Sequence, residues 1–290
     1  MVQSTIPNQP VVTATWLRDH LATPNLVILD VRSADDEPGL DFSAGHIPGA
    51  RHSDYARAGW RVTVAGVPNQ LPPVADLERL IGDLGIGNDS HVVIAAAGRT
   101  PSDLCNATRV YWTFRTLGHD QVSLLDGGFA AWIADPTNPI VTGNRIFTPV
   151  PFTATLDTRW LATLDQVRDA LAAGQTTLLD TRSRDQFEGD AKSSHARAAG
   201  TLPGARHLPT AELYSGRLPA PDTLIALFTA RGITPGDETI VFCNTGHLAT
   251  LGWFALSEVL GGSHVRLYDG SMSEWSADPQ RPLQTGNPDA

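Results

Sequence analysis

The chain repeats itself. Leu29-Asp30-Val31-Arg32-Ser33 recurs as Leu179-Asp180-Thr181-Arg182-Ser183, and Ile47-Pro48-Gly49-Ala50-Arg51-His52 as Leu202-Pro203-Gly204-Ala205-Arg206-His207. Leu84-Gly85-Ile86 is echoed by Arg231-Gly232-Ile233, and Leu125-Asp126-Gly127-Gly128 with Trp132 by Tyr268-Asp269-Gly270-Ser271 with Trp275. The offsets are 150, 155, 147 and 143 residues in a chain of 290. A spacing near half the length means a duplicated domain and not a solenoid of short repeats. Length agrees, since domains run to about 100–200 residues each. A Pro- and Thr-rich stretch opening at Asp135-Pro136-Thr137-Asn138-Pro139 holds the junction. The expected domains are therefore 1–145 and 146–290.

Each copy alternates short apolar runs with helix-compatible segments. In the first, strands are expected at Leu26–Leu29, His91–Ala95 and Val122–Leu125, with helices at Thr15–Leu21, Val74–Leu84 and Thr108–Leu117. In the second, strands fall at Thr177–Leu179, Thr239–Phe242 and Val265–Tyr268, with helices at Thr163–Ala173, Pro221–Ala230 and Leu248–Leu260. Such alternation gives an α/β fold, a parallel sheet flanked by helices in each domain. Active sites of such sheets lie at the C-terminal strand ends.

Cys243 sits at one of those ends. Thr239-Ile240-Val241-Phe242 runs into Cys243, a polar loop Asn244-Thr245-Gly246-His247 follows, and Leu248 and Ala249 open an apolar segment. Loop amides and a helix N-terminus aimed at the sulfur favour thiolate, the nucleophilic form. A lone cysteine at a strand end is more often plain core. Here the other copy argues for function: aligning His91-Val92-Val93-Ile94 with the Thr239 strand places Ala95 at the cysteine position. Gly246 lets the loop close tightly. His247 has two readings, a cation that assists thiolate formation or a solvent-facing loop histidine. Cys105 lacks the strand-loop-helix setting and is read as a structural thiol.

Composition narrows the field. The formal net charge is −10, which opposes binding to nucleic acid or anionic membrane. No apolar run approaches the ~18 residues of a membrane span. Residues 1–7 show neither a basic n-region nor an apolar h-region, so a cytoplasmic protein is expected, or a periplasmic one whose signal has been removed. Two cysteines make no disulfide framework, and no Cys/His cluster has zinc spacing. Neither metal nor cofactor is expected. The partners expected are small molecules, and oligomeric state is not legible.

With these motifs in order in both halves, the chain resembles the rhodanese family, in particular its tandem-domain sulfurtransferases. The first half matches through Gly45-His46-Ile47-Pro48-Gly49-Ala50, Arg109-Val110-Tyr111-Trp112-Thr113-Phe114-Arg115 and Ser123 to Gly128. The second matches through Asp180-Thr181-Arg182, the Cys243 loop and Tyr268-Asp269-Gly270-Ser271-Met272-Ser273-Glu274-Trp275. The resemblance implies an inactive first domain, a catalytic second one and a site in the cleft between them. It implies that Cys243 takes a sulfane sulfur from a small anionic donor as a persulfide and yields it to cyanide or a thiol. Residues Asn244 to Ala249 would stabilise the sulfur.

Thiosulfate is the favoured donor and 3-mercaptopyruvate the alternative, although neither pattern is complete. Thiosulfate-specific relatives commonly carry basic residues where this chain has Asn244 and Thr245. The arginines of mercaptopyruvate enzymes fall on Gln186 and near His195, leaving Arg182, Arg184, Lys192 and Arg197 as candidate replacements. Arg182 is equally read as a structural partner of a carboxylate. A serine-histidine-aspartate relay proposed for those enzymes would align with Thr245, Asn69 and Asp54.

Two other classes compete. A cysteine phosphatase of this fold needs an arginine in its loop, and none lies between Cys243 and Arg266. In a non-catalytic sulfur carrier or binding module, Cys243 would accept sulfur from a protein partner.

Overall fold

The computed structural model describes residues 9–33, 41–143 and 145–286. In chain order the elements are β1 (Val11–Val12), α1 (Ala14–His20), β2 (Leu26–Asp30), β3 (Arg51–His52), β4 (Val62–Val64), β5 (Val67–Gln70), α2 (Val74–Asp83), β6 (His91–Ala95), α3 (Pro101–Thr116), β7 (Val122–Leu125) and α4 (Gly128–Ile133). They continue as β8 (Leu161–Ala162), α5 (Leu164–Ala173), β9 (Thr177–Asp180), α6 (Arg184–Glu188), β10 (Arg206–His207), α7 (Pro221–Thr229), β11 (Thr239–Phe242), α8 (Ala249–Phe254), β12 (Val265–Tyr268) and α9 (Ser271–Trp275).

Two five-stranded parallel sheets result. One has the order β1-β7-β6-β2-β3 and the other, read from the matching edge, β8-β12-β11-β9-β10. The orders correspond strand for strand, as duplication requires. Both central strands, β6 and β11, are buried along their whole length, so they read as continuous apolar runs without alternation. Among the described residues, one cluster of buried apolar side chains lies in each of these sheet regions. One gathers Leu17, Ile28, Val93, Phe129 and Trp132, and the other Val167, Leu178, Ile240, Met272 and Trp275.

Helix starts follow local chemistry. Thr163 caps α5 in a reciprocal box with Gln166, and Thr100 does the same for α3 with Asp103, with Pro101 in the first turn. That second cap starts α3 seven residues before the expected Thr108, so Cys105 is helical and fully buried. The helix expected over Leu248–Leu260 is α8 followed by a π-helical turn at Ala255–Val259.

The chain forms two compact units. Residues 1–60 and 72–157 make the first, and residues 61–71 and 158–290 the second. The hairpin β4–β5 thus belongs with the second half of the sequence. Its two-residue turn, Ala65-Gly66, has positive φ at both positions (49° and 82°), the geometry that matches strand twist in a tight hairpin.

Strand register corrects one alignment. Asp30 pairs with Ala95 across β2 and β6, whereas Asp180 pairs with Phe242 across β9 and β11. The Phe129 amide donates to Ala96 O as the Met272 amide donates to Cys243 O. The residue that corresponds to Cys243 is therefore Ala96, not Ala95. The error arises because β6 begins one residue earlier than β11 relative to that shared aspartate, so matching the first residues of the strands slips the alignment.

Candidate active site

Cys243 follows the last residue of β11 and is 1% exposed. Its carbonyl accepts from the Met272 amide (3.1 Å), and the Asn244 carbonyl accepts from the Ser273 amide and hydroxyl (2.9 and 2.7 Å). The loop is closed from below by Ser271. That hydroxyl accepts from the Cys243 amide at 3.1 Å and the Gly246 amide at 3.0 Å, and donates to Tyr268 O at 2.8 Å. Gly246 has φ 68°, and a Cβ there would meet Asp269 O at 2.6 Å, so only glycine fits the turn. Thr250 ties the loop's far end by donating its hydroxyl to His247 O.

The base of the β4–β5 hairpin lies against the same loop. Asn69 Nδ2 donates to Thr245 Oγ1 at 2.9 Å. Gln70 Nε2 donates to Asp269 O (3.2 Å), and the Leu71 amide to the Asp269 carboxylate (2.6 Å). Asp269 therefore faces the hairpin with both its carboxylate and its carbonyl. On another side, Asn244 Nδ2 donates to Gln186 Oε1 of α6 at 2.9 Å. The remaining Asn244 Oδ1 is buried without a hydrogen-bond partner.

The sequence candidates separate into two groups. Cys243, Asn244, Thr245, Gly246, His247, Leu248 and Ala249 form one loop, and Gln186 joins it. Arg182 does not. It is 1% exposed, and its Nε and Nη2 grip both oxygens of Asp180 while Nη2 also reaches Gly200 O. Arg32 binds Asp30 and Gly45 O in the same way in the first unit. A buried arginine that binds a neighbouring aspartate and a backbone carbonyl with Nε and Nη2 serves the fold, so the substrate-binding reading of Arg182 is corrected to a structural one. Arg184 is exposed and pairs with Glu188 one helical turn on, at 2.9 Å. His195 is exposed, and the Lys192 ammonium donates to Ala196 O. Arg197 is exposed, and its amide donates to the Ser276 hydroxyl, which in turn donates to Met272 O. Asp54 accepts from the Ser33 hydroxyl, the Ala56 amide and Arg57.

The rhodanese-like domain family matches this chain twice, over residues 13–135 and 163–278. The chain belongs to the rhodanese family. Among its relatives is a probable 3-mercaptopyruvate sulfurtransferase of Pseudomonas aeruginosa, 36% identical, with 95% of this chain and 98% of the relative covered. A sulfur carrier protein, TtuD, of Thermus thermophilus is 31% identical (91% and 92% covered). A thiosulfate sulfurtransferase of Cricetulus griseus is 30% identical (95% and 95%). Among solved structures, SseA from Escherichia coli, described with the 3-mercaptopyruvate enzymes, superposes with a TM-score of 0.79 at 28% identity, covering 91% of this chain and 98% of that one.

Within this rhodanese fold, three contributors carry little or no signal in the sequence: Ser271, Gln70 and Leu71. Ser271 was legible only as the point where Asp-Gly-Gly becomes Asp-Gly-Ser between the copies. Gln70 and Leu71 carry no local signal, because their partner Asp269 lies 198 or more residues away.

Proposed function

We infer that this chain is a sulfurtransferase that moves a sulfane sulfur through a persulfide on Cys243. The observation that carries this reading is the cysteine itself, at the C-terminal end of a central strand and in a loop closed by backbone amides, where the duplicate copy has Ala96. The Ser271 hydroxyl holds the Cys243 and Gly246 amides, and the remaining backbone amides of the loop are the neutral donors this reading gives to an anionic sulfur.

With thiosulfate, the Cys243 thiolate attacks the outer sulfur. The new S–S bond forms as the donor's S–S bond breaks, and sulfite leaves with the electron pair. Cyanide then attacks the terminal sulfur, thiocyanate departs and the thiolate returns. With 3-mercaptopyruvate a C–S bond breaks instead, and the carbon released takes up a proton to become pyruvate. Electrons balance in both cases without an added oxidant, and two half-reactions on one enzyme give ping-pong kinetics. These donors are those named for the relatives. The name of the Thermus protein adds a second reading, in which the chain is itself a sulfur carrier that holds the sulfur on Cys243.

Binding of the donor anion follows from which charges are uncommitted. Arg182 is spent on Asp180 and Arg184 is paired with Glu188. The Arg197 guanidinium forms no ion pair or hydrogen bond among the described residues, and its backbone is tied through Ser276 and Met272 to the turn beneath Cys243. Arg197 is the residue of this segment assigned to the donor, with Gln186 fixing Asn244 beside the sulfur. Asp54 is assigned to the substrate side only through its family position.

Steady-state assays with thiosulfate and with 3-mercaptopyruvate, each with cyanide as acceptor, test the reading. Turnover with at least one donor and none in Cys243→Ser is expected. Full turnover in that variant, or none with either donor in the wild type, refutes it.

A further inference from the structure

Ser271 stands out among the described residues because its backbone is where a serine is disfavoured. Its φ is +50°, and only Asn25, Ala65 and Asn69 share a positive φ among described non-glycine residues. Left-handed backbone strains an L side chain and persists where the surroundings hold it in place. The first unit makes the same turn with Gly128, φ +59°, which carries no such strain. The second unit keeps a side chain where glycine would be easier.

That side chain is fully buried and every valence of its oxygen is used. The proton goes to Tyr268 O, and the two lone pairs take the amides of Cys243 and Gly246. Toward the loop the hydroxyl is therefore only an acceptor, fixed in direction by its third bond. It grips both ends of the segment 243–246. In the first unit nothing comparable fits: a Cβ on Gly128 would lie 2.5 Å from Ala96 O. There the loop has settled on the glycine turn. In the second unit the serine holds it off and bridges the gap with hydrogen bonds.

We propose that Ser271 is a positioning residue for sulfur transfer, clamping the Cys243 loop in the shape that holds the thiolate and persulfide. This rests on the sulfurtransferase reading. Ser271 engages the Cys243 and Gly246 amides, and Asn244 and Thr245 are fixed by their side-chain partners Gln186 and Asn69, so the whole segment that surrounds the sulfur is held in one conformation. The difference between Ser271 and Gly128 is then part of what distinguishes the two copies, alongside Cys243 and Ala96.

The test is Ser271→Gly in the full chain. Glycine suits the positive φ, so the thermal midpoint should stay within a few degrees of wild type. Amide hydrogen exchange at Cys243 and Gly246 should accelerate, because both lose their acceptor. Single-turnover persulfide formation, followed by mass spectrometry across pH 6 to 10, should slow by roughly ten- to a hundredfold at neutral pH, as expected for two lost hydrogen bonds. The pH–rate profile should move to higher pH, and KM should change by less than about threefold. A merely structural serine would move neither profile nor kcat. Unchanged exchange, or a wild-type rate and pH profile in the folded variant, overturns the proposal. Cys243→Ser run alongside separates the two claims: if it retains turnover, the sulfurtransferase reading falls on its own evidence, and the exchange measurement still tests the clamp.

Discussion

Asn69 donates its side-chain amide to the Thr245 hydroxyl at 2.9 Å, joining residues 176 positions apart in the chain. Because Asn69 is the donor, Thr245 accepts, and its own proton is left to point elsewhere. Asn69 holds a φ of +61°, a region asparagine tolerates better than most residues. An asparagine does not titrate, so this contact cannot pass a proton along a relay.

Asn69→Ala should therefore lower kcat/KM by about three- to tenfold, the worth of one neutral hydrogen bond. Asn69→His should instead add an inflection near pH 6–7 to the pH–rate profile, since imidazole titrates there. Steady-state kinetics from pH 5 to 9 measure both. A wild-type profile that already shows that inflection, and loses it in Asn69→Ala, would contradict the assignment.

Removing Arg182 should damage the fold and not donor binding. Arg182→Ala leaves Asp180 buried and uncompensated, at a cost of about 3–5 kcal/mol, and Arg32→Ala should cost the first unit a similar amount through Asp30. Arg197→Ala should leave stability unchanged and raise KM for the donor by about ten- to a hundredfold, as loss of a charge-assisted hydrogen bond implies. Chemical denaturation and steady-state kinetics of the three variants separate these roles.

Asp269→Ala should release the hairpin. The carboxylate that accepts from the Leu71 amide is lost, and residues 61–71 should show faster amide exchange while β11 and β12 remain protected. Equal protection in wild type and variant would mean that other contacts hold the hairpin.

Acid should weaken the first unit before the second. Burial pushes His91 and His119 below the ordinary histidine value of 6.5, and His119 also packs against Phe114, with ring centroids 5.4 Å apart. A histidine held neutral in the fold but free to protonate when unfolded contributes fully above pH 6.5. That contribution is lost as pH falls below 6.5, because the unfolded state then binds more protons. Exchange protection of β6 and β7 should fall between pH 7 and 5 more than that of β11 and β12. His119→Phe should reduce the difference.

Much of this was legible in the sequence because the chain was written twice. Asp30-Val31-Arg32 and Asp180-Thr181-Arg182 share a spacing, yet the sequence left Arg182 open between donor binding and a structural pairing, because the burial that decides it is not written in the motif. The inner strands were readable as apolar runs. The edge strands β1, β3, β8 and β10 were not, because two residues carry no period. The hairpin's allegiance was hidden because Asn69, Gln70 and Leu71 find partners far along the chain. Ser271 was visible as a letter but not as a clamp, since its role depends on a positive φ and on two amides that no side-chain pattern reports.

The central claim is that sulfur travels on Cys243, and peptide-level mass spectrometry of the donor-treated chain tests it most directly. One added sulfur atom on the peptide holding Cys243, removed by cyanide and missing in Cys243→Ser, is the expected result. Sulfur found only on the peptide of Cys105, which is buried inside α3, would contradict it.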